Sequence, residues 1–120
     1  MKKVLRGIHY KTSEAIELEI NDGVIERISN IETTEEHLPY IGPGLIDIQI
    51  NGYKGYDFNS ENLSVEDVIE VSKLLYLDGI TGFYPAIVTN HPDFINERIK
   101  TIVTAIEQDK NTARSILGIH

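Results

Sequence analysis

The sequence predicts an α/β chain: the start of a (β/α)8 TIM barrel preceded by a small antiparallel β domain, with the barrel incomplete. Three observations predict it. Residues 1–42 read as strands and turns alone, and residues 43–120 alternate strand patterns with helix patterns. Strands alternating with helices imply parallel pairing through right-handed crossovers. A closed barrel of this kind needs about 250 residues, and the chain has 120.

Residues 3–9 supply a first strand. In "AIELEIND" Ile16, Leu18 and Ile20 alternate with Glu17, Glu19 and Asn21, the pattern of a half-exposed strand. "NDG" at 21–23 is a turn signal, because Asn, Asp and Gly tolerate positive φ. "GVIERI" then returns as the next strand. "ETTEE" at 32–36 is a polar loop, and "PYIGPG" at 39–44 marks the boundary between a domain of residues 1–42 and one of 43–120.

The second part opens on "GLIDIQING", 44–52. Ile46, Ile48 and Ile50 form an aliphatic face, expected to pack outward under helices, while Asp47, Gln49 and Asn51 share the other. A strand buried in a parallel sheet is normally apolar on both faces, so that polar face needs a reason. Two are open. Asn51-Gly52 is a strong turn dipeptide, and "YKGYDF" could return as the second strand of a hairpin. Alternatively the polar face looks into a barrel, whose sites lie at the C-terminal ends of the strands. The local pattern favours the hairpin; the helix and apolar strand that follow favour the barrel.

Residues 64–79 read as a helix. Ser64 caps it, with Asp67 three residues on, and Val65, Val68, Ile69, Ser72 and Leu75 lie on one side. "GITGFYPAIV", 79–88, is the next strand, and Pro85 belongs at an edge, a bulge or a strand end. Residues 92–110 form a second helix, with Pro92 in its first turn and Ile95, Ile99, Ile102 and Ile106 as its apolar stripe. "SILGIH", 115–120, is a third strand.

Composition narrows the function. Net charge is −8, with eight carboxylates and one base in residues 14–36. Such a chain is poorly suited to polyanions, which argues against a nucleic-acid partner. No apolar run approaches the roughly 18 residues of a membrane span, and no signal peptide is evident. With no cysteine, disulfide and thiolate chemistry are excluded, and a cytoplasmic location is expected. His9, His37 and His91 read as surface or packing residues. His120 differs, because it ends an apolar strand where a barrel site would lie. No two histidines have the spacing of a local metal pair.

Three stretches carry a family resemblance: "PGLIDIQINGYKGYDFN" (43–59), "DGITGFYPAIVTN" (78–90) and "ILGIH" (116–120). Together they resemble the amidohydrolase superfamily, and within it the N-acetylglucosamine-6-phosphate deacetylases, as the first three barrel strands in order. The resemblance implies a metal-dependent hydrolase releasing acetate from N-acetylglucosamine 6-phosphate. It also implies one divalent metal, zinc first, in a full-length homodimeric parent that binds a small amino-sugar phosphate. Most amidohydrolases carry His-x-His on the first strand; Gln49 and Asn51 stand at those positions here. By resemblance Gln49 hydrogen-bonds near the metal-bound water, Asn51 shapes the pocket, His120 lines it and Asp47 gives structural support. Ala86 stands where the family usually has Thr. The family's metal-binding Glu, its two His ligands and its catalytic Asp fall beyond His120, so no metal ligand and no catalytic residue is expected within this chain. The chain is therefore expected to be a fragment, inactive alone. Two alternatives stand beside it: another amidohydrolase acting on a different amide or cyclic ureide, and a non-catalytic self-associating module.

Overall fold

The structure is a computed structural model describing residues 1–120. It divides into two compact units, Met1–Pro43 and Gly44–His120. The α/β class and the small β-sheet domain form as the patterning implies.

In the first unit β1 (Lys2–His9), β2 (Ala15–Asn21) and β3 (Val24–Asn30) make an antiparallel meander. The β2–β3 turn uses Asp22 and Gly23, both at positive φ, as the "NDG" signal requires. A two-residue strand, β4 (Tyr40–Ile41), joins the edge of β1 in parallel, so the sheet runs β3-β2-β1-β4 and is mixed rather than purely antiparallel. Ile16 and Leu18 are its buried apolar side chains. Gly7 is required where β4 crosses, because a Cβ there would stand 2.5 Å from the Pro39 carbonyl oxygen.

In the second unit β5 (Leu45–Ile50) pairs in parallel with β8 (Ile80–Pro85), across a crossover that contains α1 (Val65–Leu77). Ser64 caps α1 as expected, with Asp67 completing a reciprocal capping box. A small hairpin, β6 (Gly52–Tyr53) and β7 (Tyr56–Asp57), is inserted between β5 and α1. Its turn is Lys54-Gly55, both at positive φ, and not Asn51-Gly52. The hairpin and the parallel strand therefore coexist, and residues 56–57 return against β6 rather than against β5.

α2 runs Pro92–Gln108 and stops short of the predicted residue 110. Asp109 breaks it: its carboxylate accepts from Thr112 N–H at 2.7 Å and starts a separate short helix, α3 (Lys110–Ser115). The predicted third strand is consequently short. Ile116 forms a single parallel bridge with Phe83, and the path continues beside β8 through Leu117 N–H to Phe83 O and His120 N–H to Pro85 O.

The core of this unit is one cluster: Ile50, Phe58, Leu63, Val68, Val71, Leu75, Phe83, Ile102, Ala105 and Ile116. On α2 the buried line is Arg98, Ile102 and Ala105, with Ile95, Ile99 and Ile106 only half-buried. The expected isoleucine stripe is thus turned aside by a buried charge. Arg98 donates from its two terminal nitrogens to the Ser60 carbonyl and to Glu97, its Nε is buried without a partner, and its guanidinium lies 4.9 Å from the centroid of Phe94.

The aliphatic face expected on β5 does not form as a unit. Ile50 is buried, but Ile46 and Ile48 are 57% and 74% exposed. The register shifts between Asp47 and Ile50, and such an irregularity interrupts the strict two-residue alternation.

Candidate functional site

The site is built from strand ends. Ala86 N–H donates to Ile50 O at 2.8 Å, which ties the end of β8 to the end of β5. On the other side of β8, Ile87 N–H donates to His120 O and His120 N–H to Pro85 O, each at 2.8 Å. The C-terminal ends of three parallel segments therefore stand side by side in the order β5, β8, 116–120. Pro85 ends β8, a position that needs no further ladder donor.

Gln49, Asn51 and His120 are all exposed. Asn51 follows the last residue of β5, and its carbonyl accepts from Phe58 N–H at 2.9 Å. Gln49 lies within the irregular stretch of β5, where Asp47 fixes it: the half-buried Asp47 carboxylate accepts from Gln49 N–H at 3.0 Å. The structure sets Asn51 and His120 at the ends of the two segments that flank β8 on either side.

Reading the sequence missed Asn59. Its side-chain NH2 donates to Ala86 O at 2.9 Å, and its side-chain oxygen accepts from Val88 N–H at 2.8 Å. Neighbours hold it in place. Asp57 accepts from Asn59 N–H at 2.8 Å, and Phe58 is buried in the core with its ring 6.2 Å from that of Phe83. "YDFN" carries a local hint in its Asp-x-Asn turn spacing, but the partner at 86–88 lies too far along the chain to be read.

A second polar cluster ties the hairpin to the end of α1. Asp78 accepts from the Tyr53 hydroxyl and pairs with Lys54. These contacts, Lys54 first, hold the Asp78 carboxyl below the usual carboxylate range, and Asp78 in turn raises Tyr53 and Lys54. Elsewhere a cavity of about 600 Å³ lies among Ser72, Tyr76, Thr81, Asp109 and Arg114. Thr81 is the second residue of β8, so this cavity is away from the strand ends that hold Asn51 and His120.

No three His, Asp or Glu side chains converge into a metal-holding group. A carboxamide is a poor metal ligand beside imidazole, so Gln49 and Asn51 do not make a metal centre by themselves. No helix is long and apolar enough to cross a membrane.

No family profile matches the chain. Individual relatives do. The N-acetylglucosamine-6-phosphate deacetylase of Danio rerio is 32% identical over 81 residues, which is 67% of this chain and 20% of that protein. The Homo sapiens deacetylase is 31% identical over 81 residues, 67% of this chain and 19% of that protein. The Caenorhabditis elegans deacetylase is 37% identical over 57 residues, 44% of this chain and 14% of its own. The chain thus spans about a fifth of the length of the first two relatives.

Solved structures agree in fold. The N-acetylglucosamine-6-phosphate deacetylase from Thermotoga maritima aligns with a TM-score of 0.77 at 22% identity, over 98% of this chain and 31% of that one. The Pasteurella multocida deacetylase aligns with a TM-score of 0.72 at 24% identity, over 98% of this chain and 34% of its own. Agreement of sequence and fold over the same region means that the chain belongs to the N-acetylglucosamine-6-phosphate deacetylase family, corresponding to the N-terminal portion of its members.

Proposed function

We propose that these residues form the N-terminal domain start and the first barrel strands of a metal-dependent deacetylase. Its reaction is hydrolysis of N-acetylglucosamine 6-phosphate to glucosamine 6-phosphate and acetate. The observation that carries this reading is the row of strand ends β5, β8 and 116–120, with Asn51 and His120 exposed on it. It occurs in a chain related to deacetylases of that name.

In this reading Gln49, Asn51 and His120 line one wall of the substrate pocket. A carboxamide both donates and accepts, so Gln49 and Asn51 suit the hydroxyl and amide groups of an amino sugar. Asp47 supports Gln49 by holding its N–H. Amide hydrolysis also needs a Lewis acid at the carbonyl and an acid for the leaving amine. Residues outside 1–120 supply both, and no activity is expected of residues 1–120 alone.

The test is acetate release by the full-length protein carrying these residues, with N-acetylglucosamine 6-phosphate and added divalent metal. Metal-dependent release supports the reading, and its absence sinks it. Release from a different amide or cyclic ureide alone would move the chain to another amidohydrolase activity. A self-associating module is the second reading, favoured by the exposed Leu45, Ile46, Ile48, Leu117 and Ile119. Sedimentation of the 120-residue chain decides it, because a monomer across the micromolar range rules out self-association.

A further inference from the structure

Asn59 makes a contact that ordinary loop packing does not explain. β8 ends at Pro85; Ala86 N–H and Ile87 N–H still pair with Ile50 O and His120 O, and residues 86–88 have no regular structure of their own. A segment that runs past a strand end leaves backbone groups in need of partners. The Asn59 amide provides them for Val88 N–H, which it receives, and for Ala86 O, to which it donates. The orientation of the amide is fixed by its partners, since a flip would set NH2 against N–H and oxygen against oxygen.

The anchor beneath it is firm. Phe58 is 1% exposed, its N–H is bonded to Asn51 O, and Ser60 O receives the buried Arg98 guanidinium. The amide thus hangs from a segment fixed on both sides. Ala86 is held from two directions: its N–H by Ile50 O at the end of β5, its carbonyl by Asn59. The Asn59 segment is in turn bonded, through Phe58 N–H, to the carbonyl of Asn51.

We propose that Asn59 is a positioning residue for the substrate pocket, clamping the Ala86–Val88 segment that follows β8. The inference rests on the deacetylase reading for its link to substrate; the clamp itself does not. Asn59 touches no substrate. It sets where the wall next to Asn51 stands, and losing a contact made equally to bound substrate and transition state raises KM with kcat unchanged.

Two measurements on the full-length protein test this. The first is amide hydrogen exchange. Asn59→Ala should lose protection at Val88 N–H selectively, while Phe58 and Phe83 amides keep theirs. Unchanged exchange at Val88, or loss spread evenly over the core, overturns the clamp. The second is kinetic. With N-acetylglucosamine 6-phosphate, Asn59→Ala should raise KM roughly three- to tenfold with kcat within about twofold, the scale of one or two lost hydrogen bonds. Asn59→Asp keeps the acceptor for Val88 but sets a carboxylate against Ala86 O. Its KM defect relative to wild type should shrink as pH falls and the carboxyl becomes a donor. Unchanged KM, or a defect in kcat alone with no pH dependence in Asn59→Asp, overturns the positioning role. If wild type releases no acetate, the deacetylase reading fails, and exchange at Val88 still decides the clamp.

Discussion

The units Met1–Pro43 and Gly44–His120 reach a folded state by different means. The first is a ladder. Its buried apolar side chains are Ile16 and Leu18, and its strands are also bridged by exposed ion pairs: Lys2–Glu19 at 2.9 Å, Arg6–Glu17 at 2.8 Å and Arg27–Glu19 at 3.6 Å. The second is a layered core in which ten buried side chains from strands, loops and helices meet. Exposed ion pairs contribute little, whereas buried apolar area scales with stability. Backbone pairing gives the first unit its register, and side-chain burial gives the second unit its stability.

The largest effect that could break this comparison lies in the second unit. Phe83 is fully buried, so Phe83→Ala should cost about 3–5 kcal/mol and remove the cooperative urea transition of that unit. Leu18→Ala in the first unit should cost less, roughly 2 kcal/mol, because a single thin layer collapses around the gap. Equal losses from the two substitutions, read by urea denaturation of the 120-residue chain, would contradict the comparison.

A smaller effect sharpens it. Ser64→Ala removes one half of the α1 capping box and should lower stability by about 1 kcal/mol, visible as a lower urea midpoint with unchanged slope. The smallest effect is acidic. Contacts with Lys2 depress Glu19, contacts with Lys54 and then Tyr53 depress Asp78, and the Thr112 backbone depresses Asp109. A carboxyl depressed in the folded state stabilises above its unfolded pKa, and that contribution fades as pH falls through the folded value. The urea midpoint should therefore drop from about pH 5 downward. Glu19→Gln should flatten that drop for the first unit alone, and Asp78→Asn for the second. An acid response that ignores both substitutions would show that these contacts do not matter to either unit.

Much of the fold was legible because it is local. The β1–β3 spans follow from alternation and one turn signal, and the start of α1 from Ser64 and Asp67. What was illegible depends on distant partners. The turn dipeptide Asn51-Gly52 was overridden because β5 finds β8, which leaves Lys54-Gly55 to make the turn. Arg98 reads as an interruption of the isoleucine stripe until the Ser60 carbonyl is in place. Asp109 looks like one more polar helix residue, and only its bond to Thr112 N–H shows the break. At the candidate site, Asn51 and His120 could be placed at strand ends from pattern alone. Asn59 could not, because its partners Ala86 and Val88 are fixed by the fold.

The parallel pairing of β5 with β8 also sets a schedule. Ile50 pairs with Pro85, 35 residues further along the chain (85 − 50). At about 5–20 residues per second of synthesis, β5 waits roughly 2–7 seconds between its own emergence and that of its partner. The β1–β3 meander needs no such delay, since each strand pairs with the one just made. During the wait Leu45, Ile46, Ile48 and Ile50 form an unpaired apolar segment on the nascent chain, the interval in which a holding chaperone would have most to grip.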